Sequence, residues 1–120
     1  MSKIMVVDDS NSMRALIKQA LVAAGHEVIE ASNGEDALAR AAGATIELFL
    51  CDVNMPRMDG LTLVKRLRAL LPFKFSPILM LTTEIDPEKK RVAKEAGATG
   101  WLVKPFQPDQ LLATIRRVLA

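Results

Sequence analysis

Five side chains able to do chemistry fall at the ends of apolar runs. Asp8 and Asp9 follow Lys3–Val7, Asp52 follows Ile46–Cys51, Thr82 follows Ile78–Leu81, and Lys104 follows Gly100–Val103. Two like charges ~4 Å apart repel by roughly 1 kcal/mol in water and ~4 kcal/mol at an effective dielectric of 20. Three carboxylates gathered in one place therefore need a cation to share. An all-oxygen donor set with room for water favours Mg²⁺, which takes one or two carboxylates and leaves positions for a phosphate oxygen. A carboxylate held beside such a cation and a fixed ammonium suits attack on phosphorus and formation of an acyl phosphate. Phosphoryl transfer asks a protein for positioning and charge neutralisation. Mg²⁺ and Lys104 would neutralise, and the Thr82 hydroxyl can donate to a phosphoryl oxygen.

These groups meet only if the elements carrying them are arranged to bring the strand ends together. Strand and helix patterns alternate along the whole chain. Lys3–Val7 reads as a strand. Met13, Leu16, Ile17, Ala20, Leu21 and Ala24 form one stripe of a helix ended by Gly25. Glu27–Ala31 reads as an edge strand with flanking glutamates, and Asn33-Gly34 turns into a short alanine-rich helix closed by Gly43. The apolar run Ile46–Cys51 delivers Asp52 to its tip. A Pro/Gly/Asp-rich loop then leads into a helix from about Asp59 to Leu71, carrying Leu63, Val64, Leu67 and Leu71 inward.

Residues 72–77 read as a loop and Ile78–Leu81 as a buried strand. Asp86-Pro87 starts a helix, Asp as N-cap and Pro at its first position; only Val92, Ala93 and Ala96 face inward before Gly97. Gly100–Val103 is the last strand, and residues 108–119 form a helix with a full apolar stripe. Five βα units in a row predict an α/β fold, a five-stranded parallel sheet with helices on both faces and right-handed crossovers. Asp8, Asp9 and Asp52 converge if the first and third strands are neighbours, as in the flavodoxin-like order 2-1-3-4-5.

The totals exclude several classes. A chain of 120 residues, half of them apolar, is expected to fold as a single domain over 1–120. The net charge of +2 comes from sixteen Lys/Arg against fourteen Asp/Glu, with no basic tract. Lys89-Lys90-Arg91 and Arg116-Arg117 read as solvated helix faces, so no direct nucleic-acid binding is expected. No run approaches the ~20 apolar residues of a membrane span and no signal peptide opens the chain, so a cytoplasmic protein is expected. Cys51, the one cysteine, reads as a buried inert thiol.

Asp8-Asp9-Ser10, Asp52 with Asn54-Met55-Pro56 and Asp59-Gly60 behind it, Thr82, and Lys104-Pro105-Phe106 together resemble the response-regulator receiver domain of two-component signalling. The resemblance runs through the whole chain in order. With a Met-Ser start and nothing beyond the fifth helix, the chain is most similar to the stand-alone, CheY-like chemotaxis subgroup, which the Thr82-Thr83-Glu84 stretch also resembles. The resemblance implies that Asp52 is the phosphoacceptor. Asp9, Asp52 and the main-chain carbonyl of Asn54 would bind Mg²⁺ directly, and Asp8 largely through water. Lys104 would pair with the phosphoryl group, Thr82 would move toward it, and the Lys104–Pro105 peptide would be cis. A histidine kinase (CheA-like) would be the phosphodonor and an output protein such as a flagellar-motor switch component the partner of a monomer. The face made by the fourth helix, last strand and fifth helix would switch. Where the family has Tyr or Phe three residues before the lysine, this chain has Trp101; a switching indole and one fixed on the surface both remain open.

An aspartate-nucleophile phosphatase would need a second carboxylate where Asn54 stands. A flavodoxin-like nucleotide or flavin carrier would need a glycine- or hydroxyl-rich phosphate loop, which Asp8-Asp9 opposes by charge. A receiver cut from a longer regulator with a DNA-binding output fits the end at Ala120 as well as a whole protein does. His26 is expected to be exposed, and Met5, Met13, Met55, Met58 and Met80 to pack in core or loop. Phe73-Lys74-Phe75 is expected to cover the sheet edge, a contact patch being the alternative.

Overall fold

The computed structural model describes residues 2–83 and 86–119; Met1, Glu84, Ile85 and Ala120, and with them the last residue of the Thr82-Thr83-Glu84 stretch, lie outside the described residues. Strands β1 (Lys3–Val7), β2 (Glu27–Ala31), β3 (Leu48–Asp52), β4 (Ile78–Thr82) and β5 (Gly100–Val103) alternate with helices α1 (Asn11–Ala23), α2 (Gly34–Ala41), α3 (Gly60–Arg68), α4 (Pro87–Ala96) and α5 (Pro108–Leu119). All strand pairs are parallel and the order is 2-1-3-4-5. Side chains alternate across a strand, and the sheet divides the core accordingly. Met5, Val7, Phe49, Cys51, Ile78 and Met80 pack with α2, α3 and α4 on one face. Ile4, Val6, Leu48, Leu50, Leu79 and Leu81 pack with α1 and α5 on the other.

The central strands β1, β3 and β4 are buried on both faces, which explains their unbroken apolar sequence. Each of the first four helices starts on a side chain that accepts from its first turn: Ser10, Asn33, Asp59 and Asp86. Gly97 ends α4 at φ 116°, a left-handed conformation that disfavours any side chain.

The structure corrects several local expectations. Helix α3 stops at Arg68, not Leu71. Continued, it would need a hydrogen bond from residue 72 to the Arg68 carbonyl, and Pro72 has no N–H to give and a ring that clashes there. Residues Leu71–Phe73 instead make a 3₁₀ turn, and Leu71 is 84% exposed. Phe73 fills the core edge-to-face with Phe49, ring centroids 5.1 Å apart, whereas Phe75 points outward. Thus only Phe73 covers the sheet. Leu16 and Ala24 are exposed at the margin of the α1 stripe, and β3 begins at Leu48. His26 is half-buried and its Nδ1 accepts from the Ser2 N–H at 3.1 Å. Lys90 is half-buried as well, because its ammonium lies over the Trp101 ring.

Candidate functional site

The order 2-1-3-4-5 places β1 between β2 and β3, so the loops after β1 and β3 open side by side. Asp8, just past β1, has no exposed surface. Its Oδ1 accepts from the Ser10 N–H at 2.9 Å and its Oδ2 from Lys104 Nζ at 3.1 Å. Lys104, just past β5, is also 3.3 Å from Asp52 Oδ1, and one ammonium therefore bridges two buried carboxylates. Asp9 is exposed, and one oxygen from each of Asp8, Asp9 and Asp52 lies within 4.8 Å of the others. Burial raises the Asp52 carboxyl above its ordinary value. The Lys104 charge pulls it back down, Asp8 pushes it up again, and the Asn54 main-chain N–H donates to it.

The Lys104–Pro105 peptide is cis. The main-chain N–H of Lys104 donates to the Thr82 carbonyl at 2.7 Å, tying the ends of β4 and β5 together. Thr82, Trp101, Asn54, Val53 and Asp59 line one cleft of about 260 Å³ with the first turns of α4. Trp101 sits half-buried at its edge, with Lys90 Nζ 4.9 Å from the ring centroid. Asp8, Asp9, Asp52, Asn54, Thr82 and Lys104 thus reach one rim of the sheet, and Trp101 lies two residues inside it on β5, along the same cleft.

Three further residues shape the site without having been assigned a role in it from the sequence. Arg14, on α1, donates from Nη1 to the Asp8 carbonyl at 2.5 Å and from Nη2 to Asn11. It holds the loop that presents the acids. Gly60 lies against β3: a Cβ there would stand 2.3 Å from the Asp52 carbonyl oxygen and 2.9 Å from Val53 Cα. Lys90 covers the indole. Only Gly60 had a local signal, the Asp-Gly turn it belongs to.

Three carboxylates against one ammonium leave two negative charges on a partly buried rim, and all the donors are oxygens. That donor set, one oxygen from each of Asp8, Asp9 and Asp52, fits a hard divalent cation such as Mg²⁺.

The chain matches the family model described as response regulator receiver domain over residues 4–116. It is 43% identical over 119 residues to a protein of Helicobacter pylori named chemotaxis protein CheY1, covering 98% of this chain and 96% of that one. It is 40% identical to the chemotaxis protein CheY homolog of Campylobacter jejuni, covering 98% and 92%. The solved structure of Vibrio cholerae chemotaxis protein CheY4 superimposes with a TM-score of 0.97 at 52% identity, over 99% of both chains. On these matches the chain belongs to the response regulator receiver domain family, as a CheY-like member of two-component systems.

Proposed function

We propose that this protein is a phosphoacceptor switch of a chemotaxis pathway, a monomer acting in the cytoplasm, in which Asp52 takes a phosphoryl group from the phosphohistidine of a CheA-like histidine kinase or from a small phosphodonor. The observation that carries the reading is the single ammonium of Lys104 set between Asp8 and Asp52 beside a third carboxylate. An Asp52 carboxylate oxygen attacks phosphorus, the P–N bond to the donor imidazole breaks, and an acyl phosphate remains. Mg²⁺, held by Asp9, Asp52 and the Asn54 carbonyl with Asp8 behind, would neutralise charge on the transferring group. Lys104, already 3.3 Å from Oδ1, is placed to pair with the new phosphoryl oxygens, and the Asn54 N–H and Thr82 hydroxyl are within the same rim. The protein is a signalling switch that catalyses only its own loading and unloading.

The switch surface is the face of α4, β5 and α5, which an output protein such as a flagellar-motor switch component would read. α4 contributes a single fully buried side chain, Ala93, and is the helix least anchored by apolar contact. Drawing Thr82 toward the phosphoryl group would open space in the cleft behind it for Trp101. Moving a 1:99 equilibrium to 99:1 takes ~5.5 kcal/mol of preference, which a few charge-assisted hydrogen bonds of about 1.5–3 kcal/mol each can supply. Asp52→Asn is expected to abolish incorporation of radiolabelled phosphate from acetyl phosphate; label retained on that variant would refute the assignment.

A further inference from the structure

From Gly60 to Thr83 the chain has no acidic residue, yet it carries Lys65, Arg66, Arg68 and Lys74. Arg68 is spent internally. Its guanidinium donates to the carbonyls of Gly97, Phe73 and Ser76 at 2.9, 2.8 and 2.6 Å. The other three are exposed and have no carboxylate partner among the described residues; the Lys74 ammonium rests on the Phe75 ring at 5.6 Å. Beside them opens a groove of about 830 Å³ between α2 and the α3–β4 connection, lined by Leu38, Ala41, Ala44, Arg66, Leu70 and Phe73. Leu70, Leu71 and Phe75, three of the five large hydrophobic side chains left exposed among the described residues, fall in this one connection, and Phe75 is 87% exposed. An apolar concavity lined by one arginine, with Phe75 and Lys74 exposed just beyond it in the same connection, has the composition of a docking surface.

We propose that this groove docks an acidic amphipathic segment of a partner protein. The segment's bulky apolar side chains would enter beside Phe73 and Leu70, and its carboxylates would face Lys65, Arg66 and Lys74. Charge decides the occupant. A second copy paired symmetrically would set these cations against themselves, and like charges opposed across an interface cost affinity. A flat lipid surface would leave the groove unfilled. The C-terminal carbonyls of α2 and α3 also end here, but they carry only partial charge, and Arg68 already takes up the carbonyls beyond α3. The groove adjoins the N-terminal ends of β3 and β4, whereas Asp52 and Thr82 occupy their C-terminal ends. The dock therefore stands apart from the phosphoacceptor rim and does not rest on the phosphorylation reading.

The test uses the whole protein and a fluorescein-labelled helical peptide with Leu and Phe along one face and Glu along the other. Anisotropy should show saturable binding that weakens with salt, and amide NMR shifts should centre on residues 41–44 and 65–75. Arg66→Glu combined with Lys74→Glu, and separately Leu70→Ser combined with Phe75→Ser, should each weaken binding by about tenfold or more. These side chains are exposed, and unchanged urea midpoints would show the variants folded. Equal binding by the variants, or shifts mapping elsewhere, would overturn the proposal. So would binding to phosphatidylglycerol-containing vesicles without peptide binding, or a sedimenting dimer lost on Phe75→Ser.

Discussion

Asp52 and Cys51 are consecutive residues, and β3 gives them opposite fates. The strand's alternation sends Cys51 into the packed face with α3 and aims Asp52 at the open rim. Full burial pushes the Cys51 thiol up to about 12, with the neighbouring Asp52 charge adding to the rise. Thiolate, the reactive form, is then essentially absent at neutral pH. The native protein is expected to resist iodoacetamide at pH 8 and to label fully in denaturant; rapid native labelling would show that β3 opens far more readily than its burial implies. At this scale the sequence was informative where a residue's type clashed with its surroundings. Carboxylates and an amine at the ends of apolar runs announce a site. Arg14 and Arg68 were not legible, because both act on main-chain carbonyls, whose positions depend on the folded path and leave no mark on residue type.

Helix α3 shows how an element's neighbours fix its limits. Its start is tied to the site by Gly60, whose missing side chain lets the helix approach the backbone of Asp52 and Val53. Gly60→Ala forces a methyl into main chain that has no flexible end to yield, and overpacking of this kind costs about 1–3 kcal/mol. Its urea midpoint should fall and its phosphorylation rate should fall with it; a wild-type midpoint would mean the loop after Asp52 relaxes freely. The helix's other end yields a paired comparison. Phe73→Ala removes a ring that packs edge-to-face on Phe49 and should cost about 3–5 kcal/mol. Phe75→Ala, two residues on, should leave the midpoint unchanged. Calorimetric melting of the two variants checks both. Apolar periodicity could not separate Leu71 from Leu67 or Phe75 from Phe73. The same spacing continues through Pro72, and only the missing N–H of that proline stops the helix.

The fold as a whole was legible because five βα units leave few ways to cover a parallel sheet, and because the acids had to meet. What the pattern could not supply was the fit between distant ends, including the N-terminus. Ser2 reaches His26 after α1 has returned beneath the sheet. Partial burial holds the His26 imidazole below its ordinary value. A histidine depressed in the folded state stays neutral there while the unfolded chain takes up a proton. His26 thus lowers stability as pH falls below ~6.5 and has no effect above it. Urea midpoints of wild type and His26→Asn should run parallel above that pH and change their separation below it; an identical separation at pH 5.5 and pH 8 would rule this out.

The bond from Lys104 to Asp8 spans 96 positions of sequence. While a ribosome is still making the chain, the acid pair after the first strand waits for an amine that has not yet been translated. No fragment that ends before Lys104 can carry the bridged pair of Asp8 and Asp52. The rim's charge balance is therefore set last, when the fifth strand takes its place beside the fourth and brings the ammonium with it.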